Sequence, residues 1–114
     1  MANTFTRTTK SSLSTADVTS NALTNVLTAG SSATLIVLSV LISNKTGSSV
    51  NANVYLFTST GDDTFLLKNV PIPAGSSLEM ISGSKLVLTA NDVIRASSDA
   101  ATSLDLTISY LEQT

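Results

Sequence analysis

"VPIPAGSSLEMISGSKLVLTANDVIRASS", from Val70 to Ser98, alternates turn chemistry with short β-branched and aliphatic runs, and this alternation decides the fold. Pro73-Ala74-Gly75 reads as a turn, because proline presets its own φ and glycine tolerates a positive one. "SLEMI" then reads as a short strand ended by Ser82-Gly83-Ser84, and "KLVLT" as another. Asn91-Asp92 turns the chain, and "DVIRASS" runs on as the next strand. Turn signals recurring every 8 to 12 residues or so are the grammar of a sandwich or jelly roll.

The same grammar extends in both directions. In "SLDLTISYLE", Leu104, Leu106, Ile108 and Tyr110 take one face and Asp105, Thr107 and Ser109 the other, as in a strand with one buried and one wet side. Upstream, "ATLIVLSVLISNK" is apolar on both faces, with Leu35, Val37 and Leu41 on one and Ile36, Leu38, Val40 and Ile42 on the other. Such a strand is either covered twice or turns half of itself toward a partner chain. After the turn "TGSS", Val50, Ala52, Val54 and Leu56 alternate with Asn51, Asn53, Tyr55 and Phe57, giving a long hairpin. "TGDD" turns again, and "TFLLKNV" is a strand expected to stop where Pro71 and Pro73 remove backbone donors.

The first thirty residues read as an N-terminal arm or edge strands, 1–30, ahead of a β-sandwich core over 31–114. "NALTNVLTAG" places Leu23, Val26 and Leu27 at a spacing that a short helix can also use, and a strand is preferred. The expected fold is all-β, a single-domain antiparallel β-sandwich of jelly-roll type. At 114 residues, one domain buries roughly 60 to 70% of its unfolded surface.

Composition narrows function. Residues are 42% hydrophobic but only 4% aromatic, so the core is aliphatic. Serine and threonine form roughly a third of the chain, which suits turns and half-exposed pleats. The 12% of charged residues sum to a net −2, and the six cations are scattered without interleaved aromatics, so no nucleic-acid or membrane partner is expected. Few charges and a positive mean hydropathy leave a poorly charged exterior, which suggests assembly. "MANTFTRTTKSS" lacks the apolar stretch of a signal peptide, so synthesis in a cytoplasm is expected.

Histidine and cysteine, the usual carriers of nucleophilic and acid–base chemistry at neutral pH, are missing. No catalytic residue, cofactor or metal is therefore assigned. Asp62-Asp63 after Gly61 lacks the wider spacing of a calcium loop and reads as a turn. Gly75-Ser76-Ser77 leads into a strand rather than a helix, so it is no phosphate cradle. Asn44-Lys45-Thr46 fits a glycosylation acceptor but is discounted without secretion. Arg95 reads as a snorkelling surface arginine, with Asp92 or Asp105 as alternative partners. The candidate subunit-interface residues are Ile36, Leu38 and Val40 on the doubly apolar strand, with Tyr55 and Phe57 either as exposed aromatics that serve interfaces or sugars or, equally, as core residues.

The carboxy-terminal half, from "LKNVPIPAGSS" to "SYLEQT", resembles a group of small virion structural proteins of tailed bacteriophages, including phages of cyanobacteria. The resemblance rests on Pro73 and Gly75, Leu78 and Glu79, the "KLVL" of Lys85 to Leu88, Asp92-Val93-Ile94, and the closing "SYLE" of Ser109 to Glu112. Asn91 stands where the group's pattern has glycine, a position asparagine also fills because it visits left-handed backbone. With the "NKT" turn and its following strand, the likeness spans about residues 33 to 114. It implies a non-enzymatic virion component, such as a capsid decoration or neck/tail accessory protein. Its partners would be copies of itself and other virion proteins, including the major capsid or neck/tail proteins. A carbohydrate-binding or host-adhesion module of a fibre is the alternative.

Overall fold

A computed structural model describes residues 3–20, 22–80 and 85–113. The Ser82-Gly83-Ser84 turn lies outside them. The strands are β1 (Asn3–Lys10), β2 (Asn25–Thr28), β3 (Thr34–Asn44), β4 (Val50–Phe57), β5 (Thr64–Ile72), β6 (Ser77–Glu79), β7 (Leu86–Leu88), β8 (Val93–Ser98) and β9 (Leu104–Gln113). One 3-10 turn, Ala22–Thr24, leads into β2, so "ALTNVLT", from Ala22, is helical at its start and extended at its end.

All pairings are antiparallel, and they nest: β1 with β9, β2 with β8, β3 with β6 and β7, β4 with β5. Nested pairing describes one long hairpin with its tip between β4 and β5. Wrapping that hairpin brings β9 beside β3 and β8 beside β4. The result is a first sheet of order β1-β9-β3-β6, with β7 also on β3, and a second of order β2-β8-β4-β5. This is a two-sheet antiparallel sandwich with jelly-roll-like strand order, as the turn grammar predicts.

The core lies between the sheets and is aliphatic. Val37, Val40, Ile42, Ala52, Val54, Leu88, Ile94, Leu104 and Ile108 are each 0% exposed. On β9 the sequence alternation holds: Leu104, Leu106 and Ile108 are buried, while Asp105, Thr107 and Ser109 face outward and are partly exposed. The core also begins earlier than residue 31, since Leu13, Leu27 and Ala29 belong to it. Residues 1–30 supply two edge strands and part of the interior.

Two sequence expectations are corrected. β5 does not stop at Pro71 but runs to Ile72, with Pro71 paired to Asn51. It is tolerated because β5 is an edge strand, where a missing N–H costs no ladder bond. On β3, the register against β9 shifts between Val37 and Ser39, which makes Leu38 a bulge residue. The extra residue exchanges the two faces beyond it. Leu35 and Val37 point inward before the bulge, Val40 and Ile42 after it, and Leu41 is turned outward.

Turn positions follow their side chains. Asn91 has φ 69° and Gly75 φ 66°, so asparagine does occupy the left-handed position in the Asn-Asp turn. Asn44, buried in the "NKT" turn, donates through Nδ2 to the carbonyls of Ser48 and Ile72, both at 2.9 Å, and accepts at Oδ1 from the amide and hydroxyl of Thr46. The acceptor-like tripeptide is thus a hydrogen-bonded turn.

Candidate functional site

The two sheets present different outer faces. Directly paired residues share a face, and on the first sheet the pairs Phe5–Leu111, Leu111–Ile36 and Ile36–Val87 line up in one row across β1, β9, β3 and β7. Phe5 is 76% and Val87 52% exposed, and Ile36 and Leu111 are partly buried. Leu38, pushed out by the bulge, is partly exposed beside this row. A contiguous apolar row spanning a whole sheet is the kind of feature that marks an interaction surface. Below it, Arg7, Ser109 and Ser39 form a polar row.

Asp105 lies further along the same face. It accepts from the Ser12 amide at 2.8 Å and forms an ion pair with Lys45 Nζ at 2.9 Å. The Lys45 ammonium and the Ser12 amide hold its carboxyl below the usual range, against a weaker opposing effect of burial.

The outer face of the second sheet is covered by the chain itself. Its central row is Asn25–Arg95–Tyr55–Phe65. Arg95 is only 9% exposed. Its guanidinium lies 4.2 Å from the centroid of Phe57, Nε donates to Asn25 Oδ1 at 2.8 Å, and Nη1 donates to the Val18 carbonyl at 3.3 Å. The expected surface arginine is therefore a buried one, held by a ring and neutral acceptors rather than by Asp92 or Asp105. Residues 13–20 arrive here from β1, tied by Ser98 N to Ser14 O at 3.0 Å, and Val18 is buried.

The five residues expected at a subunit contact thus separate. Ile36 and Leu38 lie on the open face. Val40 is fully buried in the chain's own core because of the bulge, so it cannot share a contact surface with them. Tyr55 is 9% exposed, packs edge-on against Phe65 at 4.9 Å, and donates to Asp63 Oδ2 at 3.3 Å. Burial and the neighbouring Asp63 carboxylate raise its phenol above the ordinary value. Phe57 is half-buried under Arg95. Phe5, Leu111 and Val87 were not legible as one patch, since composing a row requires knowing which strands are neighbours.

A cleft of about 470 Å³ remains where residues 15–19 meet the second sheet, bordered by Asn53, Phe65, Lys68 and Asp99 among others. Phe65 is 40% exposed there, with Lys68 Nζ 5.1 Å from its centroid.

Asp63 and Asp92 serve turns. Asp63 Oδ1 accepts from the Thr58 amide at 2.8 Å. Asp92, nearly buried, accepts from the Ser59 amide at 3.1 Å and the Thr89 amide at 3.0 Å, and from both hydroxyls. Burial pushes this carboxyl up, but the four hydrogen bonds together hold it below its ordinary value. Among the described residues no three His, Cys, Asp or Glu side chains group as metal ligands, and no helix is long and apolar enough to cross a membrane. No protein-family model, curated protein or solved structure matches the chain significantly.

Proposed function

We propose that this chain is a non-enzymatic structural protein of a bacteriophage virion, made in the host cytoplasm and assembling as an oligomer on the particle as a capsid decoration or neck/tail accessory component. The observation that carries the assembly part is the Phe5–Leu111–Ile36–Val87 row on the outer face of the first sheet, exposed at both ends. Covering such residues with a neighbour contributes up to about 1.5 to 3 kcal/mol for each large side chain fully removed from water. The virion part is supported by the resemblance of residues 33 to 114 to phage structural proteins.

Quantitative mass spectrometry of purified particles, comparing this chain with the major capsid protein, tests the reading. Near parity is the expected result for decoration, and the few copies of a single ring for the neck or tail. Absence from the particle would overturn it.

The cleft beside Phe65 favours one second reading, a carbohydrate-binding module. An exposed ring next to amide and carboxylate side chains is a chemistry that sugars use, and Phe65 rather than the buried Tyr55 would be the platform. Glycan-array binding abolished by Phe65→Ala would establish it, and a blank array would remove it.

A further inference from the structure

The sandwich has four edges, and they differ. β5 carries Pro71, a left-handed Asn69 at φ 53°, and two register shifts against β4. β2 is four residues long and also shifts register. β6 and β7 are three residues each. Short strands, bulges and proline are the devices that keep an edge from pairing with another chain. β1 has none of these three and carries charge only at Arg7 and Lys10: its eight residues pair with β9 one for one, without a shift, and its other edge is hydrogen-bonded to no strand among the described residues, although β2 of the second sheet lies near it.

Thr4 and Thr6, on the core side of β1, are exposed as well as Phe5 and Arg7 on the outer side. A shallow hollow of about 740 Å³ follows this strand, lined by Phe5, Thr6, Arg7, Thr9, Ser109 and Tyr110.

We propose that β1 pairs antiparallel with β1 of a second copy across a two-fold axis at Thr6, joining the first sheets of two protomers into one continuous sheet. This identifies the contact and rests on the oligomeric reading above. The occupant follows from the edges. A strand that matches β1 along its length must itself be long and unbulged, and among the described edge strands only another β1 qualifies.

A two-fold pairing is isologous and closes after two copies. Keeping outer faces together requires paired residue numbers with an even sum, since side chains alternate with period two. Centring on Arg7 sets two guanidinium groups opposite each other, which is unfavourable. Centring on Phe5 leaves only residues 3–7 paired. Centring on Thr6 pairs residues 3–9, places each Phe5 ring opposite the partner's Arg7 as a cation–π pair, and sets the two Phe5 rings on the diagonal. The two apolar rows then meet at the interface.

The native chain has no cysteine, so a single Thr6→Cys reports on register without background. Directly opposed residues have Cα atoms about 4.5 to 5.5 Å apart, within disulfide range. Mild oxidation should link Thr6→Cys into dimers, and Thr8→Cys, which would face the partner's Thr4, should link far less. Sedimentation should show a dimer for the unmodified chain.

Phe5→Arg, an exposed change with little expected effect on folding, should weaken the dimer about tenfold. Phe5→Arg combined with Arg7→Glu should restore it. An oligomer that persists unchanged in Phe5→Arg while Thr6→Cys stays unlinked would overturn β1 pairing and leave the oligomeric reading intact. A chain that sediments as a monomer at all concentrations would overturn self-pairing, leaving the edge for a foreign extended strand, while particle copy number would still decide the virion reading independently.

Discussion

The second sheet covers its outer face with residues 13–20 of its own chain, held by Arg95 on Phe57, Asn25 and the Val18 carbonyl. The first sheet leaves Phe5 and Val87 open at the ends of an apolar row. Both faces carry large side chains, yet one uses them for its own stability and the other holds them where a neighbour can reach. The difference arises from connection, because the link from β1 to β2 crosses from one sheet to the other and lies over the second. It teaches that exposed apolar surface on the first face is not a shortage of covering chain in general, since chain that could cover is spent on the other side.

The largest effect should come from splitting β3 at its bulge. Val40→Asp places a carboxylate in the fully buried core and should destabilise the fold by more than about 4 kcal/mol, enough to unfold a marginal domain. Leu38→Asp, two positions away on the open side, should cost about 1 kcal/mol or less. Urea denaturation of the two variants checks this. Equal costs would mean that the bulge does not invert the strand, and the distinction between inner and outer faces on β3 would fail.

Arg95→Ala comes next. It removes a ring contact and leaves Asn25 Oδ1 and the Val18 carbonyl without their donor, at a cost of about 3 kcal/mol. Residues 13–20 should then lose amide protection in hydrogen exchange before the strands do. A variant with unchanged stability would show that the second face is held closed by something other than the arginine.

Sequence reading reached the strands, because period-two alternation and turn residues are local. The faces of β9 from Leu104 to Ile108, the left-handed turn at Asn91 and the hairpin from Val50 are legible for that reason. Pairing partners are not local. Nothing in "NTFTRTTK" says that Phe5 lies beside Leu111, and nothing in "LIVLSVLI" marks Leu38 as the inserted residue, since every position there is apolar except Ser39. Val40 therefore lies on the face opposite to the one that uninterrupted alternation from Ile36 gives it. Arg95 illustrates the same boundary: its acceptors are Val18, in the segment that folds over the sheet, and Asn25, on the neighbouring strand β2, seventy or more residues away in the chain.

Acid should act on both regions through carboxylates held below their ordinary range. Asp92 braces the turns beside the second sheet, and Asp105 sits on the first. A depressed folded-state pKa contributes stability that is fully present above the unfolded value, near 4, and is lost as pH falls through the folded value. Stability should therefore hold from neutral pH to about 5 and decline below about 4. Asp92→Asn should be less stable at neutral pH by about 2 kcal/mol, since its amide cannot accept from both turns, and should show a flatter acid limb. A limb as steep as that of the unmodified chain would remove Asp92 from the account.

The smallest effect contrasts the two cations directly. Lys45 is 39% exposed and its carboxylate partner Asp105 42%, so both ions remain solvated, and holding a flexible side chain in place offsets most of the attraction. Lys45→Ala should cost under about 1 kcal/mol. That loss should shrink with added salt, because the screening length falls from about 10 Å at 0.1 M to about 3 Å at 1 M. The cost of Arg95→Ala should barely respond to salt, since its partners are a ring and two neutral oxygens shielded by residues 13–20. Denaturation of both variants at low and high salt separates them. A salt-sensitive Arg95 would mean that solvent reaches beneath the covering segment, and the second face would then be as open as the first.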